Sequence, residues 1–598
     1  MTVTTPGRRS YRLTLPHVAH ASLRGFLGGA TAIWGVITVL FLAALIGIVT
    51  SLIGFPARDP DGSTQSPGPA GMFDVLNLAM SFAAIGAQLL AIVVGSDTIA
   101  GQFARGTIRA SLTVVPKRGM LFAAHALTAC GAVLAVGAGT GLVSGGALLG
   151  CAKLLGRPVP SQIMTAWLTG TGGLALGAAV LVLLTLALGA LTRQRLVAVL
   201  VPIAVLYVVP IMMAPLAGTG AGLWASRLLP GTAMTALFST RLEDGTVTVG
   251  TTDLPYWGAL LVLAAWCAAI VPIAIFSFVR RGVTPTSSRS PRPRSPMQTA
   301  FVAASTTPAT STYQPAPYRV TVARLLASEW RKGWSLPSIR WIVVIAVLIL
   351  IGNGAIRAAS GELTYRGSTP AQALANEFSY AITDGVAGVA LLLGAIAAIL
   401  IAGEFHTGTA ATTYISAPRR WQVVLAKLIN TVLLGMSIAL PGMILAAVLY
   451  AVIYAGRGYP PTAHMLSAGA LTIVKALVFL LLIAVMSAGI AGLARRTVST
   501  ILTVAVLLVI GPALLNATGG LAKSINSPLA PIGNLARFLP LEGAKFYYPS
   551  LEMPFIDFDD SGIMHVSAEF GIVVAALWAL IAAVTWFITD TRRAITTH

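Results

Sequence analysis

Charge is scarce in this sequence. Only 10% of its 598 residues are Asp, Glu, Lys or Arg, and 56% are hydrophobic, where soluble domains carry roughly 25% charged residues. That shortage, with a mean hydropathy of +0.84, excludes a soluble globular protein and implies an all-α integral membrane protein. Cysteine is equally sparse. Cys130, Cys151 and Cys267 are scattered through apolar sequence, which excludes a disulfide framework and a thiolate metal site. Catalytic signatures are missing too. There is no Gly-x-x-x-x-Gly-Lys-Ser/Thr phosphate loop, no His-x-x-x-His pair, no Gly-x-Ser-x-Gly elbow and no carboxylate dyad within an apolar run, so neither an ATPase nor an intramembrane enzyme is expected. No cofactor or metal is expected on the chain itself.

Acids are the scarcer charge, 19 against 39 Lys and Arg, for a net charge of +20. A basic chain invites a nucleic-acid reading, but the placement of the charges argues against it. Twelve windows bounded by charges are each expected to hold a span of about 20 apolar residues, the one after Arg340 being the shortest, where Arg340 snorkels, and the one after Arg457 being interrupted by Lys475. In the first half they lie between Arg24 and Arg58, Asp74 and Asp97, Arg118 and Lys153, Arg157 and Arg193, Arg195 and Arg227, and Asp253 and Arg280. In the second they lie between Arg340 and Arg357, Asp384 and Glu404, Lys427 and Arg457, Arg457 and Arg495, Arg496 and Lys523, and Glu569 and Asp590. Arg8, Arg9, Arg12 and Arg24, then Arg105 to Arg118, Arg193 and Arg195, Arg280 to Arg340, Arg419 and Arg420, Arg495 and Arg496, and Arg592 and Arg593 fall on one side; most acids fall on the other. The positive-inside rule then predicts a multi-pass protein of the cell membrane with both termini in the cytoplasm. The first window is too long for a signal-peptide core and reads as an uncleaved span. The Ala, Gly, Val and Arg usage points to a GC-rich bacterial genome.

The sequence repeats itself. "IAGQFARGTIRASLTVVPKRG", Ile99 to Gly119, aligns without a gap on "IAGEFHTGTAATTYISAPRRW", Ile401 to Trp421. Gln102 falls on Glu404, Phe103 on Phe405, Gly106 on Gly408, Thr107 on Thr409 and Pro116 on Pro418, an offset of 302. The same offset places Leu191 on Leu493, Arg193 on Arg495 and Pro210 on Pro512, and "YRLTL" from Tyr11 precedes the first half as "YRVTV" from Tyr318 precedes the second. Three markers predict a duplication with six spans per copy. An even number of spans makes the copies parallel repeats rather than inverted ones. The expected units are 1–279 and 318–598, joined by 280–317, a basic segment rich in Pro, Ser and Thr that reads as a disordered cytoplasmic linker.

Each copy of the polar segment lies between the second and third spans of its half. In the first, Phe103, Ile108, Leu112 and Val115 recur near the helical period while Arg105 and Arg109 point elsewhere, as an interfacial amphipathic helix requires. In the second, Phe405 and Ile415 are the expected anchors. Gly106 and Gly408 are expected to break the helix at matched points, and Pro116 and Pro418 to end it. These segments equally fit ordinary connectors that carry the cations topology demands.

"AGEF" followed by a Gly-Thr pair, a "SAPRR" stretch and a long apolar span resembles the cytoplasmic signature of type-2 ABC transporter permeases, the ABC-2 exporters. In that family a six-span half is preceded by an amphipathic helix, carries a coupling helix between spans 2 and 3, and has an elaborated external loop between spans 5 and 6. The chain matches each feature twice, with Arg8 to Gly25 and Tyr318 to Lys332 before the first spans. Long external segments run from about Thr219 to Asp253 and from Asn516 to Glu569, and share an Arg-x-Leu-Pro echo at Arg227 and Arg537. The resemblance implies a permease subunit of an ATP-driven exporter, partnered by an ABC ATPase present as two copies, identical or different, which bring ATP and magnesium. It assigns ATPase coupling to Gln102, Phe103, Gly106, Thr107, Glu404, Phe405, Gly408 and Thr409. Gln102 departs from the acid the family commonly has, so if Glu404 pairs with a cation of the ATPase the two docking surfaces are unequal. Glu404→Lys or Phe405→Ala is then expected to uncouple transport while leaving folding and membrane insertion intact.

Polar side chains inside spans are functional candidates. Asn77 and Gln88, eleven residues apart, share one face of the second span, which the resemblance places beside the central cavity, as a substrate contact; an amide hydrogen-bonded to a neighbouring helix fits as well. Lys475 lies within the tenth span and either snorkels outward or faces the cavity. His125 and Lys427 are expected to be interfacial anchors, and Glu377 and Asp384 to stay at the outer interface. The cargo suited to such walls is a drug, antibiotic, peptide or lipid. Twelve spans with cytoplasmic termini also describe an ion-driven secondary transporter, and a non-transporting immunity or sensor subunit shares every one of these features.

Overall fold

Uncharged runs of apolar residues leave backbone amides no partner but their own carbonyls, and helices follow. The computed structural model describes residues 14–27, 30–54, 69–154, 159–210, 220–243, 246–251, 253–281, 321–360, 370–417, 419–524, 530–542, 556–558 and 564–592. All but the first two residues of the expected linker, Arg12 and the arginines before it, and Pro418 lie outside them. The first half comprises α1 (Leu15–Leu27), α2 (Ala30–Gly54), α3 (Pro69–Thr98), α4 (Ala100–Arg105), α5 (Ile108–Val114), α6 (Arg118–Leu154), α7 (Ser161–Thr192), α8 (Arg195–Ile203), α9 (Gly220–Arg227), α10 (Pro230–Phe238), the hairpin β1 (Thr240–Glu243) and β2 (Thr246–Val249), and α11 (Tyr256–Arg280). The second comprises α12 (Val322–Ser335), α13 (Pro337–Ser360), α14 (Pro370–Thr383), α15 (Val386–Ala397), α16 (Gly403–Thr407), α17 (Thr409–Ser416), α18 (Arg420–Gly456), α19 (Ala463–Ala494), α20 (Thr497–Ala505), α21 (Gly511–Ser524), a 3₁₀ segment Ala530–Phe538, the hairpin β3 (Ile556–Phe558) and β4 (Met564–Val566), and α22 (Ala568–Arg592).

Ten helices among the described residues are long and apolar enough to cross a membrane. The windows after Arg24 and Arg195 hold shorter apolar helices there, Gly35–Ser51 and Arg195–Tyr207. The chain is an all-α, multi-pass membrane protein. Its buried residues form two large clusters, one drawn mainly from α3, α6 and α7 and the other mainly from α15, α18, α19 and α22.

Lipid offers no hydrophobic drive between helices, so close packing of small residues holds them together. On α6, Gly137 and Gly141 lie one turn apart; a Cβ at Gly137 would meet the backbone of Ala175 at 3.0 Å and one at Gly141 the hydroxyl of Thr171 at 2.9 Å, both on α7.

Residues matched by the 302 offset adopt matched conformations. Arg193 and Arg495 are the only non-glycine residues at positive φ among the described ones, 56° and 51°. Five-residue π turns occupy Ala204–Val208 and Val506–Ile510. Each ends just before a shared proline, Pro210 or Pro512, whose ring would collide with the carbonyl four residues back in a regular helix; the wider turn gives it room.

Each long segment after these turns carries a hairpin that the sequence reading did not anticipate. The Arg-x-Leu-Pro echo marks matched local folds: the Leu229 amide donates to the Ser226 carbonyl and the Leu539 amide to Ala536, at 3.2 and 3.0 Å. A tryptophan of the following span closes each, Trp266 Nε1 donating to the Leu228 carbonyl at 3.0 Å and Trp578 Nε1 to Phe538 at 2.8 Å.

Candidate functional site at the paired connectors

Both connectors are helix–glycine–helix units. Gly106 (φ 72°) separates α4 from α5, and Gly408 (φ 74°) separates α16 from α17. Glycine takes this left-handed conformation without the Cβ strain other residues meet. Each second helix then stops at a residue turned extended, Val115 or Ala417, as the following proline demands.

The inward face of each connector is held by the arginine that closes the fourth apolar window of its half. The Arg193 guanidinium lies 5.1 Å from the Phe103 ring centre and that of Arg495 lies 4.8 Å from Phe405. Phe103 also meets Phe278 of α11 edge-on, with ring centres 6.3 Å apart. Arg118 and Arg420, opening α6 and α18, reach the end of the last helix of their halves, donating to the Arg281 carbonyl (2.6 Å) and the Asp590 carbonyl (3.0 Å). The Asp590 carboxylate also receives Arg495 at 3.2 Å and the Tyr414 hydroxyl.

The two connectors diverge at one matched pair. Glu404 is 4% exposed and lies between Lys427, 2.8 Å away, and Lys332; Lys427 in turn reaches Glu329 at 3.2 Å. Glu329 and Lys332 stand on α12, the amphipathic helix before the first apolar span of this half, so two carboxylates and two ammonium groups tie α12, the connector and α18 together. Their alternation is what makes the burial tolerable, since an unpaired ion there would keep its full desolvation cost. Burial first, then the neighbouring Lys427 charge, pull the Lys332 pKa down to about 8. In the first half the matched residues are neutral. Gln102 Nε2 bonds His125 Nε2 at 2.7 Å while His125 Nδ1 contacts the Leu121 carbonyl at 2.9 Å. A carbonyl only accepts, so His125 carries its proton on Nδ1 and Nε2 accepts from the amide. The Ser111 hydroxyl completes the set by donating to Gln102 Oε1 at 3.0 Å.

Several expectations change. The cations beside Glu404 belong to this chain, and its carboxylate faces inward. Lys427 is 3% exposed, a member of the charge cluster and not an interfacial anchor, and His125 is a buried partner of Gln102. Ile415 is 81% exposed and takes no part in the packing under the connector, where Tyr414, Ala410 and Ala417 pack with Val423, Leu325 and Phe405. In the first connector Ile108 and Val115 are buried with Phe103 and Leu112 packed against the core, as the helical period predicts. The outward surfaces comprise Gly106, Thr107 and Arg109 on one connector and Gly408, Thr409, Thr412 and Ile415 on the other. The eight coupling candidates thus divide into an inward pair, Gln102/Glu404 with Phe103/Phe405, and an outward pair, Gly106/Gly408 with Thr107/Thr409.

Asn77 and Gln88 make contacts between elements. The Asn77 amide bonds the Thr240 backbone of β1 twice, donating to its carbonyl at 2.7 Å and accepting from its amide at 2.9 Å, and also accepts from its hydroxyl at 3.3 Å, while Gln88 accepts from the Tyr207 hydroxyl at 2.9 Å. The hydrogen-bonded alternative describes both. Lys475 is half-buried on α19, within electrostatic reach of Glu569 at the start of α22. Arg357 holds both Glu377 and Asp384, at 2.9 and 3.5 Å, and lies over Tyr380. Among the described residues no group of three His, Cys, Asp or Glu side chains is placed to hold a metal ion.

No protein-family model matches the chain, and no curated protein matches it either.

Proposed function

We propose that the chain is the membrane permease subunit of an ATP-driven exporter of the ABC-2 type, two parallel six-span repeats with both termini in the bacterial cytoplasm. An ABC ATPase, as two copies, docks on the outward connector surfaces and supplies ATP and magnesium; the permease performs no covalent chemistry. The cargo is an amphiphilic or apolar compound such as a drug, antibiotic, peptide or lipid.

The observation that carries this reading is the paired connector. Two segments 302 residues apart share a glycine break at φ 72° and 74°, a phenylalanine under a left-handed arginine and an outward Gly-Thr surface. Each is fixed on its inner side to a third span and to the arginine closing the fourth window. A push on the outer side therefore reaches several spans at once through rigid contacts.

A second reading is favoured by Arg357, Glu377 and Asp384, since partly buried carboxylates within a span are the groups that ion-driven transporters use. One experiment separates the two. The protein is purified from its native membrane in mild detergent and its companions identified by mass spectrometry, with cysteines at Thr107 and Thr409 as cross-linking sites. A P-loop ATPase bound in two copies and cross-linked through both positions supports the exporter. A chain that emerges alone, and whose vesicles move substrate down an ion gradient, overturns it.

A further inference from the structure

A cavity of about 830 Å³ opens beside the first connector, between the two halves. Its inner wall is apolar, with Leu90, Val93 and Val94 of α3, Ala129 of α6, and Val498 and Leu502 of α20. Its mouth is cationic. Arg105, Arg195 and Arg496 line it against a single carboxylate, Asp97, which is shared between Arg105 at 2.9 Å and Arg195 at 3.0 Å. His125, also in the lining, has both ring nitrogens engaged, Nε2 by the Gln102 amide and Nδ1 by the Leu121 carbonyl.

Two positive charges are left in excess. The Arg195 Nε is buried without a hydrogen-bond partner among the described residues, and Arg496 lies close enough to repel Arg195. Convergence of like charges beside an apolar wall costs free energy that an anion recovers, most fully where guanidinium groups meet an oxyanion. The second connector has no matching set of charges: the 302 offset places Ile399, Thr407 and Thr497 where the first half has Asp97, Arg105 and Arg195.

We infer that this cavity binds an amphiphile with an anionic head group, phosphate or carboxylate, the head on Arg195 and Arg496 and the tail along Leu90, Val94, Val498 and Leu502. The inference rests on the permease reading for the meaning of such a site, as the place where cargo or lipid enters, but its test needs neither ATP nor ATPase. Dodecyl phosphate, dodecylphosphocholine and inorganic phosphate are titrated calorimetrically into the whole purified chain in a neutral detergent. Dodecyl phosphate is expected to bind more tightly than the other two. Arg195→Gln combined with Arg496→Gln weakens it about tenfold or more, the size expected for lost charge-assisted hydrogen bonds, and Arg109→Gln, outside the cavity, leaves it unchanged. Arg496→Gln alone guards against misfolding, because this side chain is exposed and its guanidinium makes no hydrogen bond or ion pair among the described residues; it is expected to weaken binding with an unchanged unfolding temperature. Anionic phospholipid that co-purifies with the wild type and is lost from the double variant identifies a lipid head group as the source; binding of dodecyl phosphate without such lipid identifies a free amphiphile. Equal affinity of wild type and Arg496→Gln for dodecyl phosphate, or equal affinity of the wild type for dodecyl phosphate and dodecylphosphocholine, overturns the site. Neither result bears on whether an ATPase docks at the connectors.

Discussion

Glu404 and Lys427 form a buried ion pair, 2.8 Å apart, at the positions where the other connector has Gln102 and His125 in a neutral hydrogen bond of 2.7 Å. One backbone arrangement thus accommodates two electrostatic solutions. The ionic one recruits Glu329 and Lys332 and so binds α12 to the connector; the neutral one closes on itself through Ser111 and the Leu121 carbonyl and leaves room for a cavity beside it.

Removing one member of the ionic pair is expected to cost about 3–5 kcal/mol, because a charge is left buried and unpaired. Glu404→Lys is worse still, placing three ammonium groups around Glu329, so loss of folding is expected from this variant in place of the clean uncoupling that the sequence suggested. Glu404→Gln with Lys427→His reproduces the first-half pair and leaves Glu329 with Lys332, a neutral remainder. The double variant should be more stable than either single variant in detergent unfolding; additive losses would show that the pair is not energetically coupled.

Stability should respond to pH through Lys332. Its pKa in the folded chain is drawn down to about 8 by burial and by Lys427, below the roughly 10.4 of an exposed lysine. The folded state therefore releases its proton first. Between about pH 8 and 10 the unfolded chain holds more protons than the native one, and this lysine's contribution to stability rises with pH across that window. Glu329, Glu404 and Lys427 face the same group, so the check is a difference: the unfolding midpoint of the wild type minus that of Lys332→Met, followed from pH 7 to 11, should increase.

The connector glycines answer to backbone strain alone. A Cβ on Gly106 or Gly408 would meet nothing within 4 Å, yet both sit at positive φ. Gly106→Ala and Gly408→Ala should each cost about 1–2 kcal/mol, and asparagine, which tolerates this conformation better, should cost less. Thermal unfolding of the four variants measures the ranking; equal losses for alanine and asparagine would argue against strain as the cause.

Asn77 is expected to act on the hairpin rather than on cargo. Asn77→Ala removes both bonds to the Thr240 backbone, leaving that amide and carbonyl short of their partner, at about 1–3 kcal/mol. Hydrogen exchange at β1 should quicken in this variant while the affinity for dodecyl phosphate at the connector cavity is unchanged.

How much of this was legible depended on whether the signal was local. Spans, connectors and their breaks follow from the spacing of charges and the placement of Gly106, Gly408 and Pro116, each of which acts within a few residues. The first hairpin is legible too: Asp244-Gly245 between Thr240 and Val249 is a strong hairpin signal. The charge cluster was not legible, because Glu329 lies 75 residues from Glu404 and nothing in either neighbourhood says that α12 folds back onto the connector. For the same reason the sequence leaves Asn77 and Gln88 open between substrate contact and a hydrogen bond to a neighbouring element, and does not name Thr240 and Tyr207 as their partners.

The outward surfaces carry the last prediction. Thr107 and Thr409 are exposed beside the left-handed glycines, whereas Phe103 and Phe405 are covered by Arg193 and Arg495. A bulky side chain at the threonines blocks a docking partner without disturbing the bundle, while truncating the phenylalanines loosens the bundle itself. Thr107→Trp and Thr409→Trp should therefore keep the wild-type unfolding temperature and lose the co-purifying ATPase; Phe405→Ala should lower that temperature, at a stability cost of about 3–5 kcal/mol if its site cannot collapse. If the tryptophan variants retain the ATPase in full, the Gly-Thr surfaces are not where it docks, and the likeness of the two connectors reflects only the way each half is braced.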